Sequence, residues 1–160
     1  MKTKVFLFGL LFALASQLNA QGIFDKLASE KEVTVVRITK SVLEMMPDVD
    51  GKADINGVEI GALKDKLDLL EIFTTEKPEM IAIMRQGIKE YEKTPSLFEE
   101  IMTVKDEDTE VRFFVGKENK KDKNIKSLIM FVDNGDEGVM MRLLGDFAMQ
   151  DFKGIIDSSM

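Results

Sequence analysis

The chain has 160 residues, 22 basic and 29 acidic side chains, and a net charge of −7. It lacks cysteine, histidine and tryptophan, which removes disulfides, thiolate and imidazole metal sites, thiol nucleophiles and the imidazole base on which most hydrolases rely. So acidic a surface argues against nucleic acid or anionic membrane as partner.

Lys2 and Lys4 lead an apolar run from Val5 to Ala15 that ends in Leu18-Asn19-Ala20, the layout of a cleavable secretory leader. The run falls short of the roughly 20 residues that cross a bilayer, and Ala20 gives signal peptidase a small residue to cut after. The expectation is a leader over residues 1–20 and one domain over residues 21–160, beginning at Gln21. Loss of Lys2 and Lys4 would take the net charge from −7 to −9. No cysteine stands at the cut to carry a lipid, so the expected location is periplasmic or secreted without a lipid anchor. No later apolar run approaches spanning length.

Ile23, Phe24, Leu27 and Ala28 fit a short amphipathic helix, and Val33 to Ile38 a β-branched strand. Val42, Leu43 and Met46 predict one face of a helix ending before Pro47. Asp48 to Lys66 reads as loop, with tight turns at Asp50-Gly51 and Asn56-Gly57. Leu67 to Thr74 is a second strand. The clearest helix runs from Glu76 to Lys93, with Pro78 in its first turn and Ile81, Met84, Ile88 and Tyr91 along one face. Leu97 to Val104 fits helix and strand alike and is read as a helix end passing into a strand. Glu110 to Gly116, Asn124 to Asp133 and Gly138 to Leu144 follow as strands. Ile125 to Val132 is apolar on both faces and suits a central position. A last helix begins near Asp146 and aligns Ala148, Phe152 and Ile155. The predicted fold is α+β: a mainly antiparallel sheet of five or six strands with a C-terminal meander and helices packed on it.

Candidate chemistry is sparse. Asp48, Asp50, Asp54, Asn56 and Glu59 resemble part of a calcium loop, but Lys52 falls where an oxygen ligand is needed and Ala53 where glycine must turn the chain. Asp106, Glu107, Asp108 and Glu110 form a second acidic cluster and Asp133, Asp136 and Glu137 a third, both at turns, where such residues collect without any ligand. Paired carboxylates could cleave glycosides, yet Tyr91 is the only tyrosine available for sugar stacking. Ser41, Ser96, Ser127, Ser158 and Ser159 lack a nucleophile elbow and a histidine partner. Adjacent Lys40 and Ser41 would point about 100° apart on a helix, too far to act as a dyad. Met45, Met46, Met80, Met84, Met102, Met130, Met140, Met141 and Met149 are too dispersed for a copper site and suit gap-filling in the core. One or two of them beside Phe147 or Phe152 could line an interaction patch. Lys117, Lys120, Lys121 and Lys123 follow Glu110 to Gly116, where they could guard a sheet edge or steer an acidic partner.

Taken in order, the leader, Phe24-x-x-Leu27, Val33-Thr34-Val35-Val36-Arg37-Ile38, Glu71-Ile72-Phe73, Ile101-Met102-Thr103-Val104-Lys105-Asp106, Val111-Arg112-Phe113-Phe114-Val115 and Leu143-Leu144-Gly145-Asp146-Phe147 resemble the Bacteroidetes family of exported domains of unknown function catalogued under the number 4252. The resemblance runs over nearly the whole mature chain. It implies a small envelope protein, many relatives being lipoproteins, and this chain departs in having no cysteine to anchor. It transfers no activity and no catalytic residue. The functional expectation is a monomeric, non-enzymatic binding or protein-interaction module of the cell envelope, needing no metal or cofactor, whose partner is an envelope protein or other envelope component. A carboxylate- or cation-dependent enzyme using the acidic loops and a small apolar-ligand carrier are the alternatives.

Overall fold

The computed structural model describes residues 22–45, 54–55, 58–59 and 61–153, with the backbone alone at residues 54, 55, 58, 59, 61 and 62. The expected leader over residues 1–20, the turns at Asp50-Gly51 and Asn56-Gly57, and Met46, Ile155, Ser158 and Ser159 lie outside the described residues.

Helix α1 (Gly22–Ser29) leads into strand β1 (Thr34–Thr39), helix α2 (Lys40–Met45), and a ribbon of β2 (Asp54–Ile55) with β3 (Val58–Glu59). A 3-10 turn (Gly61–Lys66) precedes β4 (Leu67–Thr75), and helix α3 (Pro78–Glu92) leads to β5 (Phe98–Asp106), β6 (Thr109–Gly116), β7 (Ile125–Asp133) and β8 (Gly138–Phe147). A second 3-10 turn (Met149–Phe152) follows. Six strands form one sheet in the order β1-β4-β8-β7-β6-β5, with every pairing antiparallel. The predicted α+β class and the C-terminal meander are what the chain adopts.

Alternation along these strands gives the sheet two apolar faces, each with its own core. On one face, α1 and α3 cover Phe73, Phe114, Ile129, Phe131 and Met140 with Ile23, Phe24, Leu27, Met84, Ile88 and Tyr91. Helix α3 has Pro at its start, where the missing N–H costs nothing, and it carries the chain from β4 to the far edge strand β5. The opposite face is built of cross-strand rows. Leu43, Leu63 and Phe152, from α2 and the two 3-10 turns, belong to the core that contains Leu70, Leu128 and Leu143. One row, Thr74, Val139, Val132, Val111 and Val104 in register, is only half-buried across five strands.

Several expectations need correction. Helix α2 buries Leu43 alone, and Val42, expected on the same face, is 42% exposed. The stretch read as loop contains the β2–β3 ribbon and a 3-10 turn. The ambiguous segment is strand from Phe98 onward. A register shift between Glu100 and Met102 interrupts its alternation, which is why it also fitted a helix. The helix expected from Asp146 is instead the end of β8, followed by the short turn that buries Phe152. Because β5 is a full strand, it covers β6, so Glu110 to Gly116 is interior and the sheet edges are β1 and β5. Lys117 and Lys120 line a small hollow with Leu97, Phe98 and Glu99 at the start of that true edge.

Gly145 marks a point where the β4 and β8 ladders slip: Leu67 pairs with Gly145 but Leu69 with Leu144. A Cβ here would collide with the Lys66 carbonyl and lie 2.6 Å from the Phe147 ring. Backbone cannot yield as a flexible side chain would. Gly145→Ala is therefore expected to cost about 1–3 kcal/mol, read as a lower urea midpoint with an unchanged slope.

Candidate functional site

The covered face of the sheet carries an unusual row. Arg37, Glu71, Arg142, Ile129, Phe114 and Glu100 stand side by side in register across all six strands. Its alternation places Glu71 and Arg142 on the side that α1 and α3 seal. Glu71 is 1% exposed, and each of its oxygens serves a different cation. Oε1 accepts from Arg37 Nε at 2.7 Å and pairs with Nη2 at 2.6 Å. Oε2 accepts from Arg142 Nε at 2.8 Å and from Arg142 Nη2. Phe24 of α1 lies against the Arg142 guanidinium, its ring centroid 4.3 Å from Cζ, in cation–π geometry. Arg142 is thus fixed by an acid on one strand and an aromatic ring on a helix.

Beside Arg142 opens a cavity of about 210 Å³ lined by Phe24, Tyr91, Phe98, Ser127, Ile129, Arg142 and Leu144. It exists because the neighbouring row, Leu69, Leu144, Ser127, Gly116 and Phe98, is small at two consecutive strands. A Cβ on Gly116 would strike Ser127 Oγ and lie 2.9 Å from Phe98 Cε1, so this glycine lets Ser127 and Phe98 meet across it. The wall is aromatic: the Tyr91 ring tilts on Phe98 at 4.6 Å and on Phe114 at 5.8 Å between centroids. Burial pushes the Tyr91 hydroxyl pKa well above its usual value, and the nearby Arg142 charge offsets part of that rise. Tyr91 is therefore a neutral hydroxyl at any ordinary pH.

Two polar groups on the lining are unspent. Arg142 commits Nε and Nη2 to Glu71, while Nη1 donates to no group among the described residues. Ser127 Oγ likewise has no hydrogen-bond partner among them. The charge also fails to balance, since two guanidiniums share one carboxylate. Arg37 is 55% exposed and water screens it, whereas Arg142 is 17% exposed. The uncompensated charge is felt on the cavity side.

The acidic clusters meet but are already occupied. Glu110 and Asp133 are partners in register, and with Glu107 and Asp108 they line a polar hollow of about 270 Å³ that also holds Arg85 and Lys105. Arg85 Nε and Nη2 donate to Asp133 at 2.5 and 2.9 Å, and the Gly135 N–H donates to it at 2.9 Å. Glu110 faces Lys105 at 3.5 Å and Arg112 at 4.0 Å. Asp136 and Glu137 donate their N–H groups to Asn134 Oδ1, and the Glu137 carbonyl accepts from the Asn134 N–H at 3.2 Å, all within the turn. Among the described residues no group of three or more acidic side chains is arranged to hold a metal ion. Of the calcium-like loop, Asp54 and Glu59 are backbone partners in the β2–β3 ribbon, and Asp48, Asp50 and Asn56 lie outside the described residues. Met80, Met84, Met140 and Met141 are buried as gap-fillers, and Met45 and Met149 are exposed. Met149 is 46% exposed beside Phe147 and Phe152, which are themselves fully buried, so no aromatic patch forms there. Lys40 pairs loosely with Asp68 at 3.6 Å rather than serving Ser41.

The sequence reading passed over Arg37, Glu71 and Arg142 as site residues and dismissed Ser127. A usable signal was present: one acid in the apolar stretch 69–75 of β4 and one base in the apolar stretch 138–145 of β8. Lone opposite charges at the centres of two buried strands imply each other, because neither tolerates burial unpaired.

The architecture defines an α+β protein with an antiparallel sheet sealed by helices on one face and a cation-lined cavity beneath them. Residues 26–155 match the family described as a domain of unknown function (DUF4252), and the chain belongs to that family. No curated protein and no solved structure matches it.

Removing Glu71 strands two arginines on the sheet, one of them largely buried. Glu71→Ala is expected to lower stability by about 3–5 kcal/mol, measured by urea unfolding; a loss comparable to that of an exposed pair would contradict the triad. The Arg85 pair and the Gly135 N–H hold the Asp133 carboxyl below the usual carboxylate range, Arg85 hydrogen bonding being the larger cause. A depressed folded value stabilises above the unfolded value and is lost as pH falls through the folded one. Wild type and Asp133→Asn should differ most near about pH 6 and converge as acid protonates Asp133, followed by urea midpoints against pH.

Proposed function

We propose that this chain is an exported binding module of the cell envelope that holds its ligand without transforming it, with the cavity beside Arg142 as its recognition site. The observation that carries this reading is the pair of unspent polar groups, Arg142 Nη1 and Ser127 Oγ, on an otherwise apolar and aromatic wall. A few polar groups convergent on an apolar concavity are the usual signature of a ligand site. Catalysis has little support there. The lining offers no carboxylate, amine or imidazole to accept a proton from Ser127, and both oxygens of Glu71 are engaged by guanidiniums.

Recognition through a sheet edge is less well supported. Edge strand β5 carries Glu99, Glu100, Lys105 and Asp106 and a register shift, and edge strand β1 carries an exposed Arg37. Charges and irregularities of this kind oppose strand addition. The leader-like N-terminus supports export, and among the described residues no helix is long and apolar enough to cross a membrane.

The test is mass spectrometry of the protein purified, as its own cell matures it, under native and denaturing conditions. The expected result is a polypeptide beginning at Gln21 that releases a small molecule on denaturation, and a Ser127→Phe variant, its cavity filled, that carries none. An N-terminus at Met1 would remove export. A folded variant that retains the same molecule would remove the cavity as its site.

A further inference from the structure

We infer that the ligand class of this cavity is a small monocarboxylate with a flat or short apolar body, the size of one ring or a short acyl chain. The inference rests on the reading of the cavity as a recognition site and adds the chemistry that would fill it.

Charge selects a single anion. Glu71 is saturated by two guanidiniums, so the cluster carries one excess positive charge, and the less exposed of the two cations faces the cavity. A cationic ligand would be repelled. A neutral apolar ligand would cover Arg142 Nη1 and Ser127 Oγ without giving either a partner, which costs what any stranded polar group costs. A phosphate dianion would bring two charges to the one cation on the lining, leaving oxygens against Phe24, Phe98, Ile129 and Leu144. A carboxylate matches: one oxygen can take the Nη1 hydrogen and the other the Ser127 hydroxyl, since Arg142 and Ser127 are diagonal neighbours on paired strands.

Size and shape select the body. The cavity of about 210 Å³ is somewhat larger than an apolar cavity of about 150 Å³ that takes benzene. There is room for a ring and a carboxylate but not for an extended lipid. Phe98 and Tyr91 present tilted aromatic surfaces to such a ring, and Phe24 is already committed to the far face of Arg142. Arg142 needs no rearrangement to receive the anion, because Glu71 and Phe24 hold it in place beforehand. Preorganisation of this kind lowers the ordering cost that otherwise consumes binding energy.

The experiment is calorimetric titration of the ligand-stripped full protein with phenylacetate, its neutral isostere phenylacetamide, and inorganic phosphate. Phenylacetate is expected to bind at one site, with phenylacetamide weaker by about tenfold or more, the loss of one charge-assisted hydrogen bond. Arg142→Lys keeps the positive charge but loses the fork held by Glu71, and should weaken phenylacetate while leaving phenylacetamide nearly unchanged. Its folding is checked by circular dichroism. Ser127→Ala, which removes the hydroxyl and adds no atoms, should weaken the acid more than the amide. Equal binding of acid and amide, lost in the cavity-filling Ser127→Phe, would overturn the monocarboxylate inference and leave the cavity reading standing. Phosphate binding tighter than phenylacetate would overturn it in favour of a simple anion site. Acid binding unchanged in Arg142→Lys, Ser127→Ala and Ser127→Phe alike would place the ligand elsewhere and defeat both readings.

Discussion

The Glu71 carboxylate is the constraint around which this fold is arranged. An ionised acid at 1% exposure must be fully paired or its desolvation would outweigh the burial of its neighbours. Pairing it requires β1 on one side, to bring Arg37, and β8 on the other, to bring Arg142, both in the one register that places all three side by side. A slip of one residue would turn Glu71 to the opposite face and separate it from both arginines. The acid thus specifies register in a sheet whose apolar residues, alike on both faces, specify it only weakly. Helix α1 then takes its position from the same cluster, because Phe24 covers the guanidinium that Glu71 orients.

Sealing the sheet on that side leaves a compromise visible in the neighbouring row. Leu144, Ser127 and Gly116 follow one another across three strands, and a core optimised for packing alone would place larger side chains at the second and third. The missing volume lies beside Arg142, which Glu71 and Phe24 hold in place, under aromatic side chains from α3 and β5. Packing is relaxed at the same point where a charge is held in place.

Much of the architecture was legible in sequence because the dominant signals were local. Short apolar runs bounded by polar turns located β4, β6, β7 and β8, and the face containing Ile81, Met84, Ile88 and Tyr91 located α3 with Pro78 at its start. The failures have physical causes. The register shift near Ile101 interrupts alternation, so β5 looked partly helical, and with it went the identity of the sheet edge. At the C-terminal end, slipped ladders around Gly145 let β8 continue where a helix pattern had seemed to begin. The site itself escaped because its residues are distant in sequence: Glu71 and Arg142 are 71 positions apart and Arg37 and Glu71 34. Acidic turns drew attention by clustering in the chain, although Asp133 is engaged by Arg85 and the Gly135 N–H, and Glu110 by Lys105.

The strand order also sets a sequence of events in time. β5, β6, β7 and β8 pair consecutively through short turns, so their contacts close small loops and can form early. β4 must instead wait for β8, whose residues are made long after its own, whereas β1 pairs with β4 alone and needs no other strand to do so. Until β8 is made, β4 lacks its apolar neighbour on that side, and Glu71 stands on it without Arg142. The C-terminal meander is therefore the template on which the N-terminal half assembles, and the growing chain carries β4 as an uncovered apolar strand in the interval before β8 arrives.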